Sequence, residues 1–302
     1  MGTRRQPNLP GDQYVTVRDL RFHFYDWGGD GPPILLLHGL ASNCHIWDRV
    51  APLLVKGFSV TALDQRSHGD SEGTAEGYDF ANTVADVKSF MEVCNIQRPI
   101  LVGHSWGGNV ALHVAVKHPE AVAGLILVDG GFVRPRDEQN RTWEVVERDM
   151  APPDLTHFTI DQLIERSKEH RWKTMWHPAV ESVLRASFQV QPDGTIRPRL
   201  KRERHMEIVR ALWEQNPDNL YPEVRVPVLI LPARQGETSQ SNTLSHMSKE
   251  ATIAFVESLL FTSRTIWLED SIHDVPLQRP ELVAKLIVQS ANEGFFKIEH
   301  DK

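Results

Sequence analysis

Five residues, Gly103-His104-Ser105-Trp106-Gly107, stand where an apolar run, PILVGH, gives way to a small-residue stretch, GGNVALHVAVKHP. A strand pattern before, a helix pattern after and glycine on both sides make the G-x-S-x-G turn, which lifts a hydroxyl above the carboxyl edge of a sheet. Side chains two positions either way would collide with neighbouring elements, so glycine is needed there. The free amides that open the next helix favour developing negative charge. A lone hydroxyl is a weak nucleophile and needs a base, and the base needs a group to orient it. The chain has 14 histidines, so position must choose among them. His273, in SIHDVPLQRP, follows the last strand pattern and precedes the last helix pattern, which puts its imidazole at the same edge as Ser105. His68, His104, His113 and His118 read as structural or solvent-facing. In LLLHGLASNCHIW, the segment His38-Gly39-Leu40 follows another buried strand, so the Leu40 amide can pair with the Trp106 amide as an oxyanion hole. Acyl transfer is the chemistry such a set performs.

The elements that must position these residues follow from hydrophobic period. Residues 13 to 27 alternate apolar and polar and read as two short antiparallel strands, closed by the turn cluster GGDGPP. The GGDG inside it lacks the strand, loop and helix order of a phosphate site. Short continuous apolar runs at 34–39, 58–65, 99–104, 123–131, 226–233 and 263–270 read as buried strands. Helical spacing appears at 80–95, after Ser105, and at 280–291. Strands alternating with helices imply an α/β fold, with a mostly parallel central sheet and helices on both faces. The alternation breaks between about Phe132 and Pro222, where only helical patterns occur. That segment reads as a helical cap inserted after the strand ending near Asp129. The expected core domain is 1–131 plus 223–302, and the expected cap is 132–222. Four of the eight tryptophans, Trp143, Trp172, Trp176 and Trp213, lie in the insertion. Such aromatics either staple a small helical unit or roof a pocket. Trp143, Trp172 and Trp176, with His38, are the candidate pocket residues. The basic run RPRLKRERH at 197–205 reads as the solvated start of a cap helix, with attraction of anionic substrates as the second reading.

With 302 residues and 40% hydrophobic content, the chain can build one large core plus a substantial insertion. A net charge of −7 speaks against a nucleic-acid partner. No apolar run approaches a membrane span, and no membrane partner is expected. MGTRRQPNLP has no apolar stretch behind its arginines, so no signal peptide is expected, and Gln6 stands where a myristoylation motif wants Ser or Thr. Cys44 and Cys94 could form one bridge, but read as reduced buried thiols of a cytoplasmic protein.

HGLASNCHIW, LDQRSHGDS, GHSWGG, VPVLIL and HDVPLQRP occur in that order and span about 20 to 290. This series resembles the α/β-hydrolase superfamily, in the branch with an inserted helical cap. The resemblance implies Ser105 as nucleophile, His273 as base, oxyanion amides on Leu40 and Trp106, and a cap over the pocket. It also implies that LDQRSHGDS, with Asp64, Arg66, His68 and Asp70 at a spacing that suggests metal ligation, is a structural loop; no metal is expected. The third triad member departs from the pattern. The family most often carries an Asp just after the strand written here VPVLIL, but this chain continues PARQGETSQSN, and Glu237 is the nearest acid. Asp129, at the end of LILVDGG, is the other candidate, since some members place the acid there. Asp129 is favoured, with Glu237 as the alternative; each could instead be an ordinary loop acid. Dehalogenases and epoxide hydrolases of this fold use an Asp nucleophile, whereas this chain has Ser105.

The expected function is therefore a serine hydrolase, carboxylesterase-like, cleaving carboxylic esters or lactones of a partly apolar small-molecule substrate without a cofactor. Carbon–carbon bond hydrolysis of a diketone-like substrate and cofactor-free perhydrolysis use the same triad. A ligand receptor on the same fold is the non-enzymatic alternative.

Overall fold

The computed structural model describes residues 11–133, 135–136, 141–170, 172–173, 175–235 and 248–296. Strands β1 (Gly11–Val17) and β2 (Leu20–Gly28) form an antiparallel hairpin. Next come β3 (Pro33–Leu37), α1 (Ala51–Leu54), β4 (Ser59–Leu63), α2 (Phe80–Val93), β5 (Ile100–His104), α3 (Trp106–Lys117) and β6 (Gly124–Val128). An insertion then carries α4 (Trp143–Asp149), α5 (Ile160–Glu169), α6 (Pro178–Ser187), β7 (Phe188–Val190), β8 (Ile196–Pro198) and α7 (Arg202–Glu214). The chain returns through β9 (Val228–Leu231), β10 (Ala233–Arg234), α8 (Lys249–Leu259), β11 (Ser263–Thr265), β12 (Leu268–Glu269), α9 (Val275–Gln278) and α10 (Pro280–Asn292).

Eight strands pair in the order β1-β2-β4-β3-β5-β6-β9-β11. The pairings β1–β2 and β2–β4 are antiparallel, and the others are parallel. The continuous apolar strands are explained by burial on both faces. Leu35, Leu37 and Leu101 pack into one core layer, with α2 and α3 residues such as Val87, Phe90 and Val110. Ile34, Leu36, Ile100 and Val102 pack into the other, with Leu54 of α1 and Val283 and Ile287 of α10. Each fully buried Leu or Ile contributes about 1.5–3 kcal/mol relative to exposure, so the layered sheet is a rigid platform for its carboxyl edge.

Two local features differ from the sequence expectation. The runs at 226–233 and 263–270 are each broken into two strands, β9 then β10 and β11 then β12, with β10 and β12 forming their own parallel pair. Pro232 interrupts the first because it has no N–H for the ladder. The second lies in the insertion, expected to be mostly helical: beside its helices, β7 and β8 form an antiparallel hairpin that the helical patterns did not show. Its strands have three residues each, too few to show a period, and only the Asp193-Gly194 turn announced it. Asp193 closes that turn by accepting the Thr195 amide at 2.9 Å.

Candidate active site

The turn between β5 and α3 is strained. Ser105 has φ 53° and ψ −125°, backbone angles that non-glycine residues rarely adopt. The neighbouring glycines permit it. A Cβ on Gly103 would stand 2.3 Å from the Gly107 carbonyl oxygen, and one on Gly107 would stand 2.5 Å from the His38 oxygen. The Ser105 amide donates to the Val128 carbonyl at 3.2 Å, which pins the turn to β6.

The end of β6 brings Asp129 to the same edge. Its Oδ2 accepts from Nδ1 of His273 at 2.7 Å. Its Oδ1 accepts from the Ala233 amide at 2.9 Å and from Nζ of Lys249 at 2.5 Å. The break at Pro232 matters here, since it turns the Ala233 amide toward the carboxylate. Lys249 also donates to the Ala233 carbonyl at 2.8 Å. Burial by itself would raise the Asp129 pKa, but the hydrogen bonds and charges of His273 and Lys249 outweigh it and hold the carboxyl at about 2. Burial would lower the His273 pKa, yet the Asp129 hydrogen bond and charge, helped by Asp274, raise it above the ordinary value, while Lys249 opposes them. Of the two acids considered from the sequence, Asp129 lies against the imidazole, and Glu237 lies outside the described residues. The His273 side chain is 48% exposed, and both it and Ser105 open on one cavity. Among the described residues the two make no direct hydrogen bond, as is common for catalytic pairs without substrate.

The loop after β3, the candidate oxyanion loop, packs directly on the serine, where a Cβ on Gly39 would come within 2.9 Å of Ser105 Cβ. Behind it lies a set of neutral imidazoles. The backbone sets their tautomers: His38 donates from Nδ1 to the Gly39 carbonyl at 2.8 Å and accepts the Gln65 amide on Nε2 at 3.0 Å. His68 donates from Nδ1 to the Arg66 carbonyl at 2.9 Å and accepts the Ala41 amide on Nε2 at 3.2 Å. Burial, with the charge of His38, lowers the His68 pKa to about 3. His104 donates from Nε2 to the His273 carbonyl at 2.8 Å, and burial, with repulsion from His273, brings its pKa to about 4. His104 thus anchors the loop that carries the candidate base. Sequence reasoning assigned His68 and His104 no place at the site; the adjacency of His104 to Ser105 was the available signal. Arg199 was noted only as part of the basic run 197–205, and Lys249 was missed, because its partner is far away in sequence.

The cavity has a volume of about 350 Å³. The oxyanion loop, Ser105, His273 and Leu277 form its floor, and residues of the insertion, among them Leu163, Trp172, Leu184, Arg199 and His205, form its walls. Of the candidate pocket residues, Trp172 lines it. His38, Trp143 and Trp176 do not. His38 is fully buried beneath the loop. Trp143 packs against Trp213, with Arg210 4.6 Å from its ring, and Trp176 lies under Lys168.

The LDQRSHGDS loop sends its polar residues to separate partners. Asp64 takes the Cys44 amide, the Asp70 amide and Nδ1 of His23. Arg66 is paired with buried Asp86, His68 stacks on Trp106, and Asp70 pairs with Arg199. His23, Cys44 and Asp64 do approach one another within 4.8 Å. Both ring nitrogens of His23 are already committed to carboxylates, those of Asp64 and Asp12.

A family model described as alpha/beta hydrolase fold matches residues 32–256, so the chain belongs to the α/β-hydrolase-fold family. It is similar to a fluoroacetate dehalogenase from Burkholderia sp, 38% identical over 107 residues, covering 34% of this chain and 35% of that protein. It is also similar to epoxide hydrolase 4 of Mus musculus, 34% identical over 128 residues, covering 41% of this chain and 36% of that protein. The matched segments thus span little more than a third of these relatives' length. Among solved structures, E-2-(acetamidomethylene)succinate hydrolase superposes with a TM-score of 0.77 at 21% identity, covering 94% of this chain and 100% of that one. The enol-lactonase from Burkholderia xenovorans LB400 superposes with a TM-score of 0.69 at 20% identity, covering 93% and 100%. These structural likenesses establish the fold. Among the described residues no helix is long and apolar enough to cross a membrane.

Proposed function

We propose that this hydrolase cleaves carboxylic esters or lactones through an acyl-enzyme on Ser105. The observation that carries the reading is the 2.7 Å contact between Asp129 and His273, held on the same cavity as a serine at a strained turn. In this reading Nε2 of His273 takes the Ser105 proton as the oxygen attacks the carbonyl, and Asp129 holds Nδ1–H and stabilises the imidazolium. The amides of Leu40 and Trp106 receive the oxyanion. His273 then protonates the leaving alcohol, and a water deprotonated by the same imidazole releases the acid and restores Ser105. The dehalogenase and epoxide hydrolase relatives do not shift this reading. Displacement at carbon by a serine would leave an ether, which has no carbonyl for water to attack. A serine acyl ester has one. Solved neighbours named as an enol-lactonase and a thioesterase domain support acyl chemistry on this scaffold. Helices of the insertion act as the cap, and the apolar walls fit a partly apolar small molecule. Cys44 and Cys94 are buried and not joined in a disulfide, which supports a reducing compartment such as the cytoplasm.

Hydrolysis of p-nitrophenyl esters of rising acyl length, by wild type beside Ser105→Ala, tests the proposal. Turnover that vanishes in the variant is expected, with an optimum chain length set by the cavity. A folded wild type that turns over no ester, or a variant as active as wild type, overturns it and brings forward the carbon–carbon hydrolase and receptor alternatives.

A further inference from the structure

The cavity wall contains polar groups that the triad does not use. Arg199 is the only arginine or lysine among the described lining residues. Asp70 pairs with its Nη1 at 2.7 Å. Its Nε is buried and has no hydrogen-bond partner among the described residues. The Ser42 hydroxyl, also on the lining, is likewise buried without a partner. A buried donor left unpaired costs about 1–3 kcal/mol, more when charged, so two on one cavity call for an acceptor supplied from outside the chain.

Both groups lie on the lining of one cavity, and hydrogen bonds join the segments that carry them. Asn43, next to Ser42, donates to the Ser187 hydroxyl at 2.9 Å and to the Val183 carbonyl at 2.8 Å. The Arg199 amide donates to the Ser187 carbonyl at 3.0 Å. Ser187 therefore ties the loop that carries Ser42 and Asn43 to Arg199, at the end of the β7–β8 hairpin.

We propose that Arg199 and Ser42 bind a non-reacting carboxylate of the substrate, so that the preferred esters or lactones derive from acids bearing a second carboxyl group. This rests on the hydrolase reading above. Asp70 occupies Nη1, which leaves the Nε–Nη2 edge, the planar pair of donors that matches the two oxygens of a carboxylate. The Ser42 hydroxyl adds a third donor. The surrounding wall is apolar, with Leu163, Trp172 and Leu184, so a charge-assisted bond there is screened less than in water. His68 and His205 on the same lining are kept neutral by burial and leave Arg199 as the anchor. Asp70, on Nη1, offsets part of the arginine's charge.

The test compares two p-nitrophenyl esters of equal carbon count, the glutarate monoester and the valerate, which differ in a terminal carboxylate against a methyl. The readout is the ratio of their kcat/KM values. Arg199→Met is expected to lower the ratio at least tenfold, mainly through the KM of the glutarate ester. A smaller change overturns the proposal. Should Arg199→Met fail to fold, Asp70→Asn decides: removing the carboxylate that offsets the arginine's charge should raise the ratio, and a ratio that does not rise overturns the proposal. If wild type hydrolyses neither ester, the hydrolase reading fails separately. Calorimetric binding of glutarate itself then decides, where binding by wild type that Arg199→Met or Asp70→Asn alters supports the carboxylate site, and absence of binding overturns it.

Discussion

The two oxygens of Asp129 serve three donors: His273 on one, Ala233 and Lys249 on the other. Removing the charge while keeping the shape leaves His273 free to take the wrong tautomer. Asp129→Asn should therefore lower kcat by roughly 10⁴-fold, while Glu237→Gln changes it little. Steady-state kinetics on both variants checks this, and the reverse ranking would transfer the acid role to Glu237. Lys249 acts on the base at one remove. As His273 must be neutral to accept a proton, and its pKa is raised, activity falls as pH drops through that raised value. Lys249 opposes the raising, so Lys249→Met should move the acid limb of the kcat/KM profile to higher pH. An unmoved limb would reduce Lys249 to a structural tie. Ser105 and His273 were legible from their places at strand ends. Lys249 was not, because nothing in KEATIAF marks a lysine that folds back on a residue 120 positions away.

At the scale of elements, the β5–α3 turn is set by steric limits readable in the sequence, and the glycines of GHSWGG mean what their spacing suggests. Gly107→Ala should cost about 1–3 kcal/mol in unfolding free energy, through the clash with the β3 end. Esterase activity should fall further than stability does, since relief of the clash moves Ser105 off the oxyanion loop. Denaturant melts set beside kcat/KM separate the two, and a destabilised variant with full activity would show that the turn tolerates the shift. The insertion was legible only as a break in the strand–helix alternation. Its tryptophans are one composition with two uses, and Trp172 faces the cavity while Trp143 and Trp213 pack on each other. Which use applies depends on how α4, α5 and α7 are packed, and the helical period alone does not specify that.

Over the whole molecule, buried histidines link stability to pH. Burial, with the charge of His38, lowers the pKa of His68 to about 3; burial, with repulsion from His273, lowers that of His104 to about 4; and burial, against the Gln215 hydrogen bond, lowers that of His113 to about 4. A group depressed in the fold binds its proton more readily when unfolded. Stability should therefore decline as pH falls below about 6.5, and each group's loss is complete once pH passes below its folded value. His23 and His45, raised by their carboxylates, act in the opposite sense: their contribution is full below about 6.5 and is lost as pH rises through their folded values. His113 sits outside the site, stacked on Phe80 and bonded to Gln215. His113→Gln should flatten the dependence of the thermal midpoint on pH between about 6.5 and 4, and an unchanged slope would remove His113 from the account.

The order of strands and helices, the serine turn and the loop that carries His273 were determined by local signals: apolar period, glycine spacing and the punctuation of proline. These act over a few residues, and the sequence states them directly. The contact of Asp129 with His273 and with Lys249, the neutral histidines beneath the candidate oxyanion loop and the pairing of Arg199 with Asp70 were decided only by tertiary structure. Each joins residues from different elements, and a side chain's partner and burial depend on packing between layers that no single segment contains.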